Sequence, residues 1–396
     1  MLSFYYPPDL SAGSFRASAL VSALQKGGAE GLELEVITAQ PSRYRSFTPD
    51  APERECSKGV TVRRVLLPAV RPGLLGQIWQ FGHFALGAWR LARQQRFDMV
   101  VATSSRLMTA VLGALIATTQ GARLYLDIRD IFVETLEDVF TSKIFRPAVW
   151  IFSRLERFAI WRASRVNLVS PGFLPYFEAR YPGRAFSLHP NGVDEEFGKP
   201  ITQPLNEPGE QLRVVYAGNV GDGQGLHCVV PELALRLADR AHFQIVGDGG
   251  RLAVLTERLK GLGVKNVELI NPVSRKVLRE IYREADVLLL HLNDCRAFRR
   301  VLPSKLFEYA ASGKPIWAGV AGYSAEFIAN EVPNAAVFHP CDVEGAIAAL
   351  ERLSLEEVPR EEFASQFSRQ RIMQEMARDV LAVLPAKTQA LVESRH

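Results

Sequence analysis

Residues 212–226 read LRVVYAGNVGDGQGL, and this stretch decides the fold class. The apolar run at 212–217 predicts a buried strand, and glycines at 218, 221, 223 and 225 follow directly at its end. A strand that passes through a glycine-rich loop into a helix is the opening of a βα unit. Since glycine also serves tight turns, one such loop says little about a ligand.

The same alternation of short apolar runs and helical segments extends over almost the whole chain. The predicted strands are MLSFYY, LELEVITA, VTVRRVLL, FDMVVATS, ARLYLDIRD, RVNLVS and FSLHP in the first half, and LRVVYAGN, HFQIVGDG, NVELINP, ADVLLLHLN, KPIWAGV and AAVFHP in the second. This pattern predicts two doubly wound Rossmann-like α/β domains that face each other across a cleft. Ligands of such sheets bind beyond the carboxyl ends of the strands.

A polar segment rich in Pro and Gly, NGVDEEFGKPITQPLNEPGEQ at 191–211, separates the two sets of strands and is the natural linker. We therefore expect an N-terminal domain over 1–195 and a C-terminal domain over 196–365. Helical segments over about 366–396 follow the second sheet and are expected to pack back on the first domain.

Composition narrows the class of protein. The chain has 396 residues, of which 47% are hydrophobic and 23% charged, as in soluble globular proteins of two domains. Its four cysteines are far apart and no histidine stands at zinc-ligand spacing, so a reducing cytoplasm fits and no metal is expected. The first residues lack the basic region of a signal peptide, and the longest uncharged run, between Arg106 and Arg123, is too short for a membrane span and predicts a buried helix.

Positive charge gathers in two aromatic-rich segments of the first half. Residues 63–106 hold seven arginines and one aspartate, and residues 143–165 hold six basic residues and one glutamate. The segments are either amphipathic helices with solvated arginine faces or a surface for anionic lipid or a polyanionic acceptor. No nucleic-acid motif accompanies the charge, which disfavours a nucleic-acid partner.

A second stretch, VLPSKLFEYAASGKP at 301–315, predicts a short helix between Pro303 and Gly313. Lys305 and Glu308 lie one turn apart on it. They either pair with each other or hold the diphosphate and the ribose diol of a nucleotide. Two more glycine-rich loops follow predicted strands, in YYPPDLSAGSFR near the N-terminus and in IVGDGG at 245–250. Three such loops together favour phosphate or diphosphate binding.

With these motifs in this order, the sequence resembles the retaining GT-B glycosyltransferases of the large family numbered four. Within that family it is similar to bacterial O-antigen and capsule enzymes related to the N-acetyl-L-fucosamine transferases. The resemblance covers nearly the full chain and rests on FYYPPDLSAGSFR, LDIRDIFVETL, HPNGVD, YAGNVGDGQGL, IVGDGG, EADVLLLHL and VLPSKLFEYAASGKPI.

The resemblance implies a nucleotide-sugar donor held by the second domain, an acceptor held by the first, and domain closure that excludes water. It implies that Glu308 binds the ribose, that Lys305 binds the diphosphate, and that Gly247 and Asp248 shape the base pocket. Gly13 and Gly218 would let the backbone approach the diphosphate. The predicted donor-binding residues are Gly13, Arg16, Gly218, Asn219, Gln224, Gly247, Asp248, Arg299, Arg300, Lys305, Leu306 and Glu308.

The sequence departs from the family pattern where cations are expected. Asn219 and Gln224 stand where many members have an arginine and a lysine, and Arg300 stands eight residues before Glu308 in place of a glutamate. A departing diphosphate needs positive charge or aimed N–H donors. We expect Lys305, together with Arg299 or Arg300, to supply this positive charge, and Arg16 is a further candidate source. The alternative is a degenerate donor site.

The stretch LDIRDIFVET supplies the predicted acceptor residues. Asp130 and Glu134 are expected to orient sugar hydroxyls, and the Arg129 guanidinium to hold a carboxylate or phosphate. Asp127 and Asp130 form D-x-x-D, which alone is not a sufficient set of metal ligands, so no required metal is predicted, and no cofactor is expected. Separately, one of the two aspartates is expected to serve the fold alone. His189 is a candidate base, but a histidine before a turn is more often a hydrogen-bonded scaffold residue. The predicted catalytic residues are Arg129, Asp130, Glu134 and Lys305.

The predicted function is sugar transfer with retention from a nucleotide diphosphate to a lipid-linked or growing saccharide in surface polysaccharide biosynthesis. The departing diphosphate would accept the proton of the acceptor hydroxyl. UDP is the default nucleotide, on resemblance alone, and an N-acetylated amino sugar is one candidate donor sugar. The expected place is the cytoplasm, peripherally on the inner face of the plasma membrane. A nucleotide-sugar 2-epimerase and a non-catalytic assembly scaffold are the alternatives.

Overall fold

The computed structural model describes residues 1–27, 32–42, 50–69, 73–104, 106–139, 142–198 and 211–384. The chain forms two compact units. The first unit is Met1–Asn191 together with Arg369–His396, and the second is Gly192–Ser368. The predicted boundary at 195/196 lies four residues from the observed division.

Strands alternate with helices through both units. The strands are β1 (Leu34–Ala39), β2 (Arg54–Ser57), β3 (Val60–Val65), β4 (Met99–Ser104), β5 (Arg123–Ile128), β6 (Arg165–Leu168), β7 (Phe186–Leu188), β8 (Leu212–Ala217), β9 (Ala241–Val246), β10 (Val267–Ile270), β11 (Val287–His291), β12 (Ile316–Gly319) and β13 (Ala335–Phe338). The helices are α1 (Ala12–Gly27), α2 (Gly73–Ala92), α3 (Leu107–Gln120), α4 (Phe132–Val139), α5 (Arg146–Arg162), α6 (Leu174–Arg180), α7 (Leu226–Arg236), α8 (Leu252–Gly261), α9 (Arg275–Glu284), α10 (Ser304–Ala311), α11 (Tyr323–Glu331), α12 (Val343–Arg352), α13 (Glu361–Gln366) and α14 (Arg369–Leu381). Single 3₁₀ turns lie at Lys143–Phe145, Pro171–Phe173, Asp222–Gln224 and Phe298–Arg300.

The first unit is built on strands β1 to β7. Its two sheets have the orders β1-β3-β2 and β4-β5-β6-β7, and Leu2 forms bridges to both Ile37 and Ala102 between them. The predicted strand MLSFYY is therefore reduced to bridges at Leu2. The Ser3 hydroxyl donates to the Tyr5 carbonyl, a local bond that competes with a longer ladder. Strand β2, which pairs antiparallel with β3, was not predicted.

The second unit has a single parallel sheet in the order β10-β9-β8-β11-β12-β13. Counted from β8 this is 3-2-1-4-5-6, the order of a Rossmann fold. The order reverses between β8 and β11, so the loops after these two strands diverge at a topological switch point, where such sheets bind ligands. All five residues of β11 are buried, as expected for a strand covered by helices on both faces.

The C-terminal helix α14 belongs to the first unit, where it packs on α1. Its Met376 is fully buried and its Asp379 accepts a hydrogen bond from Tyr125 Oη at 2.9 Å. Residues 385–396 of the predicted C-terminal segment lie outside the described residues. Helix α3 covers the uncharged run between Arg106 and Arg123, and its apolar residues are mostly buried in the unit. Over the described ranges, we find no helix with both the length and the apolar character that crossing a bilayer requires.

Candidate functional site

In the second unit, the loops after β8 and β9 approach each other at backbone distance. Gly218 and Gly247 have φ angles of +143° and +148°, a region that side chains disfavour. A Cβ on Gly247 would overlap the Gly218 carbonyl oxygen, and one on Gly249 would overlap the Val220 backbone. The loops are joined by Val220 N donating to the Asp248 carbonyl at 3.0 Å. The glycine-rich sequences thus fix the edge of the sheet beyond β8 and β9.

Asn219 and Gln224, the two positions that depart from the family pattern, are hydrogen-bonded to each other. Asn219 Nδ2 donates to Gln224 Oε1 at 2.7 Å, and Gly221 N donates to the same oxygen at 3.3 Å. Tyr216 Oη donates to the Asn219 carbonyl at 2.7 Å. The loop after β8 is therefore held in a closed turn by neutral groups.

Lys305 lies against this loop from the first turn of α10. Its Nζ is 3.7 Å from the centroid of the Tyr216 ring, and 2.7 Å from the place that a Cβ on Gly218 would take. The Nζ atom is buried and has no hydrogen-bond partner among the described residues. Burial lowers the pKa of Lys305 to about 7, although Glu308 acts to raise it. The structure brings this ammonium to the glycine loop, as an anion site requires.

Glu308 lies one turn further along α10 and is half-buried. The negative charge of its carboxylate acts to raise the pKa of Lys305 and that of Arg275, at the start of α9. Burial opposes the charge of Arg275, but Asp194, Glu308 and Glu196 together raise its pKa. Leu306, between the two polar residues, is fully buried in the hydrophobic core of the unit. Its side chain therefore packs in the core, and the prediction that Leu306 binds the donor stays a prediction.

The two predicted donor-binding arginines, Arg299 and Arg300, lie just before α10. The Arg299 guanidinium is exposed and binds both oxygens of Asp294, with Nε–Oδ1 at 2.5 Å and Nη2–Oδ2 at 2.8 Å. His339 Nε2 lies 3.2 Å from the same carboxylate. Arg299 is thus engaged on the surface with Asp294, and its role at a diphosphate stays a prediction. Arg300 ends the 3₁₀ turn Phe298–Arg300, three residues before α10 begins.

His291, at the end of β11, is a site residue that sequence reasoning missed. It is fully buried; Nδ1 lies 2.7 Å from the Gln224 carbonyl, and Nε2 accepts a hydrogen bond from Cys341 N at 3.0 Å. Since Nε2 accepts, Nδ1 carries the proton and donates to Gln224. Burial lowers the pKa of His291 to about 4. A neutral imidazole therefore ties the glycine loop to the loop after β13.

In the first unit, the LDIRD stretch forms a buried ion pair. Arg16 Nε and Nη2 donate to the two oxygens of Asp127, each at 2.9 Å, and Asn167 Nδ2 donates to Oδ1 at 2.8 Å. Burial alone would raise the pKa of Asp127, but the charge and hydrogen bonds of Arg16 lower it. Arg16 also donates to the carbonyls of His189 and Pro190. These donors of Arg16 are engaged within the fold, and its role at a diphosphate stays a prediction.

Arg129 and Gly13 lie together in the same unit. A Cβ on Gly13 would overlap Nη1 of Arg129, so glycine is needed there for the close approach of a guanidinium. Asp130 is exposed directly after Arg129, and Glu134 is buried in the first turn of α4. The sequence analysis gave Gly13 and Arg129 separate roles, whereas the structure shows the two residues in contact.

His189 lies close to Asp379, a half-buried carboxylate of α14. Its Nε2 is 3.6 Å from Asp379 Oδ2, which also accepts from Ser187 Oγ at 2.6 Å. Burial opposes ionisation of this carboxyl, but hydrogen bonds from His189, Ser187 and Tyr125 lower the pKa of Asp379 to about 2. His189 therefore has a scaffold position between β7 and α14.

Comparison with family models divides the chain in the same way as the fold. Residues 13–192 match the model described as "Glycosyl transferase 4-like domain", and residues 199–371 match "Glycosyl transferases group 1". Among curated proteins, the chain is 25% identical over 328 residues to WcaI of Escherichia coli (strain K12), which is named as a colanic acid biosynthesis glycosyl transferase. The match covers 78% of this chain and 79% of that protein.

Solved structures share the fold over the full chain. The Anabaena protein Alr3699/HepE in complex with UDP-glucose matches with a TM-score of 0.67 and 16% identity, covering 96% of this chain and 98% of that one. WaaG, a glycosyltransferase involved in lipopolysaccharide biosynthesis, matches with a TM-score of 0.61 and 15% identity, covering 99% and 98%. These matches confirm the predicted GT-B fold class.

Proposed function

The chain is a glycosyltransferase that joins a glycosyl transferase 4-like domain to a glycosyl transferases group 1 domain, and on that premise we propose that it transfers a sugar, with retention, from a UDP-sugar to a saccharide acceptor. The donor belongs to the second unit. The acceptor is a lipid-linked or growing saccharide of a surface polysaccharide, held by the first unit through Asp130 and Glu134. The names of WcaI and WaaG, which refer to colanic acid and lipopolysaccharide biosynthesis, support a surface polysaccharide as the product. The UDP-glucose complex of HepE supports UDP as the nucleotide.

The buried ammonium of Lys305 is the observation that carries this proposal. An uncompensated amine in a low-dielectric site costs free energy, and a diphosphate beside it would remove that cost. Gly218, in the glycine loop after β8, lies beside Nζ, where a Cβ would come within 2.7 Å of that atom. Glu308, one turn away, is placed to accept hydrogen bonds from ribose hydroxyls.

The transfer needs no protein nucleophile in this arrangement. The bond between the anomeric carbon and the diphosphate oxygen breaks, and the acceptor oxygen forms its bond to that carbon on the same face. The proton of the acceptor hydroxyl passes to the departing diphosphate. Lys305 and the loop N–H groups stabilise the charge that develops on the leaving group. The protein contributes position and electrostatics.

A thermal-shift series tests the donor assignment. UDP should raise the melting temperature of the full chain, and GDP, ADP and TDP should not, because a ligand that binds the folded state stabilises it by mass action. Lys305→Met should abolish the UDP shift. Lys276→Met removes an exposed lysine on α9 and is the matched control, which should respond as the wild type does. A scaffold would respond to no nucleotide, and a 2-epimerase would convert a UDP-sugar to its epimer without any acceptor.

A surface on α5 supports the proposed membrane location. Its exposed side chains recur at helical spacing and include apolar residues and arginines: Trp150, Ile151, Arg154, Arg157, Phe158 and Trp161. The Arg154 guanidinium lies 5.2 Å from the Trp150 ring centroid. Glu156, the acidic residue of this helix, is buried and accepts from Tyr176 and Tyr181. The exposed face of α5 is therefore aromatic and cationic, which suits anionic lipid head groups.

Helix α3 contacts both α5 and α2, and α2 exposes further apolar side chains. Ile78, Trp79 and Leu86 are more than half exposed on it. By contrast, Arg63 and Arg64 of the first basic segment pair with Glu35 and Glu55 within the fold. We propose that α5 and α2 hold the chain on the cytoplasmic face of the plasma membrane, where a polyprenyl-linked acceptor would be available.

A further inference from the structure

Two cysteines of the second unit lie at the same end of a packed pair of helices. Helices α7 and α12 contact each other, and both begin at the carboxyl edge of the parallel sheet, α7 after β8 and α12 after β13. Cys228 is the third residue of α7, and Cys341 lies two residues before Val343, where α12 begins. Both residues are exposed and both are free thiols. The fold thus brings two thiols together from distant parts of the chain.

The side chain of Asn293 lies between the two cysteine-bearing segments. Cys341 Sγ donates to Asn293 Oδ1 at 3.5 Å, and a Cβ on Gly225 would overlap this same oxygen. Gly225 directly precedes α7, and its carbonyl accepts a hydrogen bond from Cys228 N at 2.9 Å. The Cys341 thiol also forms a hydrogen bond with the Cys228 thiol. The two sulfur atoms are therefore in contact.

The backbone at Cys341 is fixed in an uncommon conformation. Its φ angle is +61°, in the left-handed region that residues other than glycine rarely adopt, and its N–H donates to His291 Nε2 at 3.0 Å. His291 in turn binds the Gln224 carbonyl, next to Gly225. Because the thiols already touch, formation of a disulfide requires the sulfur atoms to close from hydrogen-bond contact to about 2.0 Å.

From this geometry we propose that Cys228 and Cys341 form a reversible disulfide, a redox modification site that joins the starts of α7 and α12. The oxidant is a peroxide. The Cys228 sulfur attacks one peroxide oxygen, the O–O bond breaks, and one water leaves, which gives a sulfenic acid. The Cys341 sulfur then attacks the Cys228 sulfur, the S–S bond forms, the S–O bond breaks, and a second water leaves. Two thiols thereby lose two electrons and two protons to hydrogen peroxide, and a dithiol reverses the reaction.

The two cysteines have different parts in this sequence. Partial burial raises the pKa of Cys341 to about 11, and the neighbouring Cys228 adds to this rise. Since the thiolate is the nucleophile and Cys341 is protonated at neutral pH, the first attack falls to Cys228. The glycine loop leads directly into α7, so the disulfide would brace the end of that loop. The site does not depend on the identity of the donor.

Peptide mapping of the full chain tests the site. Trypsin places the four cysteines in four different peptides, 55–58, 214–236, 284–296 and 306–352, so every linkage has its own mass. After treatment with hydrogen peroxide and blocking of the remaining thiols, the unreduced digest should contain 214–236 joined to 306–352. Dithiothreitol should separate the two peptides. Cys341→Ser should abolish the linked pair, whereas Cys56→Ser, at an exposed cysteine of β2, is the matched control and should keep it.

Two further measurements separate the proposed steps. In Cys341→Ser the sulfenic acid on Cys228 has no thiol to resolve it, so dimedone should label Cys228 in this variant and lose most of that labelling in the wild type. A disulfide within one folded unit constrains the unfolded chain, so oxidation should raise the melting temperature of the wild type. Cys341→Ser should show no such rise, and its melting temperature in the reduced state establishes that it is folded.

Three results would overturn the site. The first is an oxidised wild type without the linked pair of 214–236 and 306–352. The second is a linked pair found only in disulfide-bonded dimers on a non-reducing gel, which would join two copies of the chain. The third is a fall in melting temperature on formation of the bond, which would mean that the folded unit cannot hold it. None of the three bears on the donor assignment, which the UDP response of Lys305→Met tests separately.

Discussion

Asn219 and Gln224 close the glycine loop of the second unit with a hydrogen bond between their side-chain amides, Nδ2 to Oε1 at 2.7 Å. Both positions carry a cation in many proteins that the sequence resembles. Here the loop is shaped by neutral groups, and the amine of Lys305 lies beside Gly218 and the Tyr216 ring. Recognition of a diphosphate would then depend on Lys305 and on loop N–H donors.

Placing a negative charge in this loop should therefore reduce donor affinity. Gln224→Glu keeps the shape of the side chain and an oxygen that can accept from Asn219, but its charge would repel a diphosphate. We expect at least about a tenfold rise in the Kd for UDP, the effect of a nearby like charge at low dielectric. Gln211→Glu, just before β8 and at the opposite end of that strand from the loop, is the matched control. Equal Kd values for the two variants would contradict a diphosphate at this loop.

The amine of Lys305 should take up a proton when UDP binds. Its pKa of about 7 leaves the free amine mostly neutral at pH values above 7, and a bound diphosphate would raise this pKa. Calorimetry in buffers of different ionisation enthalpy should therefore report uptake close to one proton near pH 8 and only about a tenth near pH 6.

Lys305→Arg is the control for this uptake, since a guanidinium stays charged throughout the range. The variant should retain UDP binding and lose the proton uptake of Lys305. The proton exchange that remains in this variant comes from UDP itself and is subtracted from the wild-type value. Uptake that persists in Lys305→Arg would place the titrating group elsewhere.

His291 should make the second unit sensitive to acid. Its folded pKa of about 4 is below its ordinary value of 6.5, so the unfolded chain binds more protons between these two values. Unfolding free energy should then fall as the pH drops from 6.5 to 4, by about 3 kcal/mol in total, because protonation breaks the hydrogen bond from Cys341 N. Urea unfolding at several pH values measures this. His291→Asn should be less stable at neutral pH and lose this part of the slope, whereas His242→Asn, at a half-buried histidine of β9, should keep it.

The sequence was sufficient for the second unit because its strands are mostly apolar runs, and three of them, β8, β9 and β12, end at a glycine. All six predicted strands of this half form, and the buried β11 shows why continuous apolar runs are so informative in parallel sheets. The edge strand β2 was missed because RECS is exposed and polar, with no alternation to detect.

Site residues were harder to assign, because a charged residue type does not reveal its partner. Asp127 and Asp130 look equivalent in LDIRD, yet one is buried against Arg16 and the other is exposed. Arg16 comes from a helix 111 residues earlier in the chain, so spacing alone could not pair them. His291 gave no signal either: within the apolar run VLLLH it reads as one more buried position.

The α5 surface yields the last prediction. Vesicles of equal parts phosphatidylglycerol and phosphatidylcholine should sediment the full chain, and pure phosphatidylcholine vesicles should not, because Arg154 and Arg157 require anionic head groups. Replacing Trp150 and Trp161 together by serine should weaken sedimentation about tenfold or more, since each exposed indole would contribute its transfer into the interface. The matched control replaces Leu235 and Leu262, both 44% exposed in the second unit, by serine and should bind as the wild type does. Because these tryptophans lie outside the donor loop, UDP affinity should be unchanged in both variants. If the tryptophan variant sediments with vesicles as well as the wild type does, α5 does not bind the membrane, and the transferase assignment is unaffected.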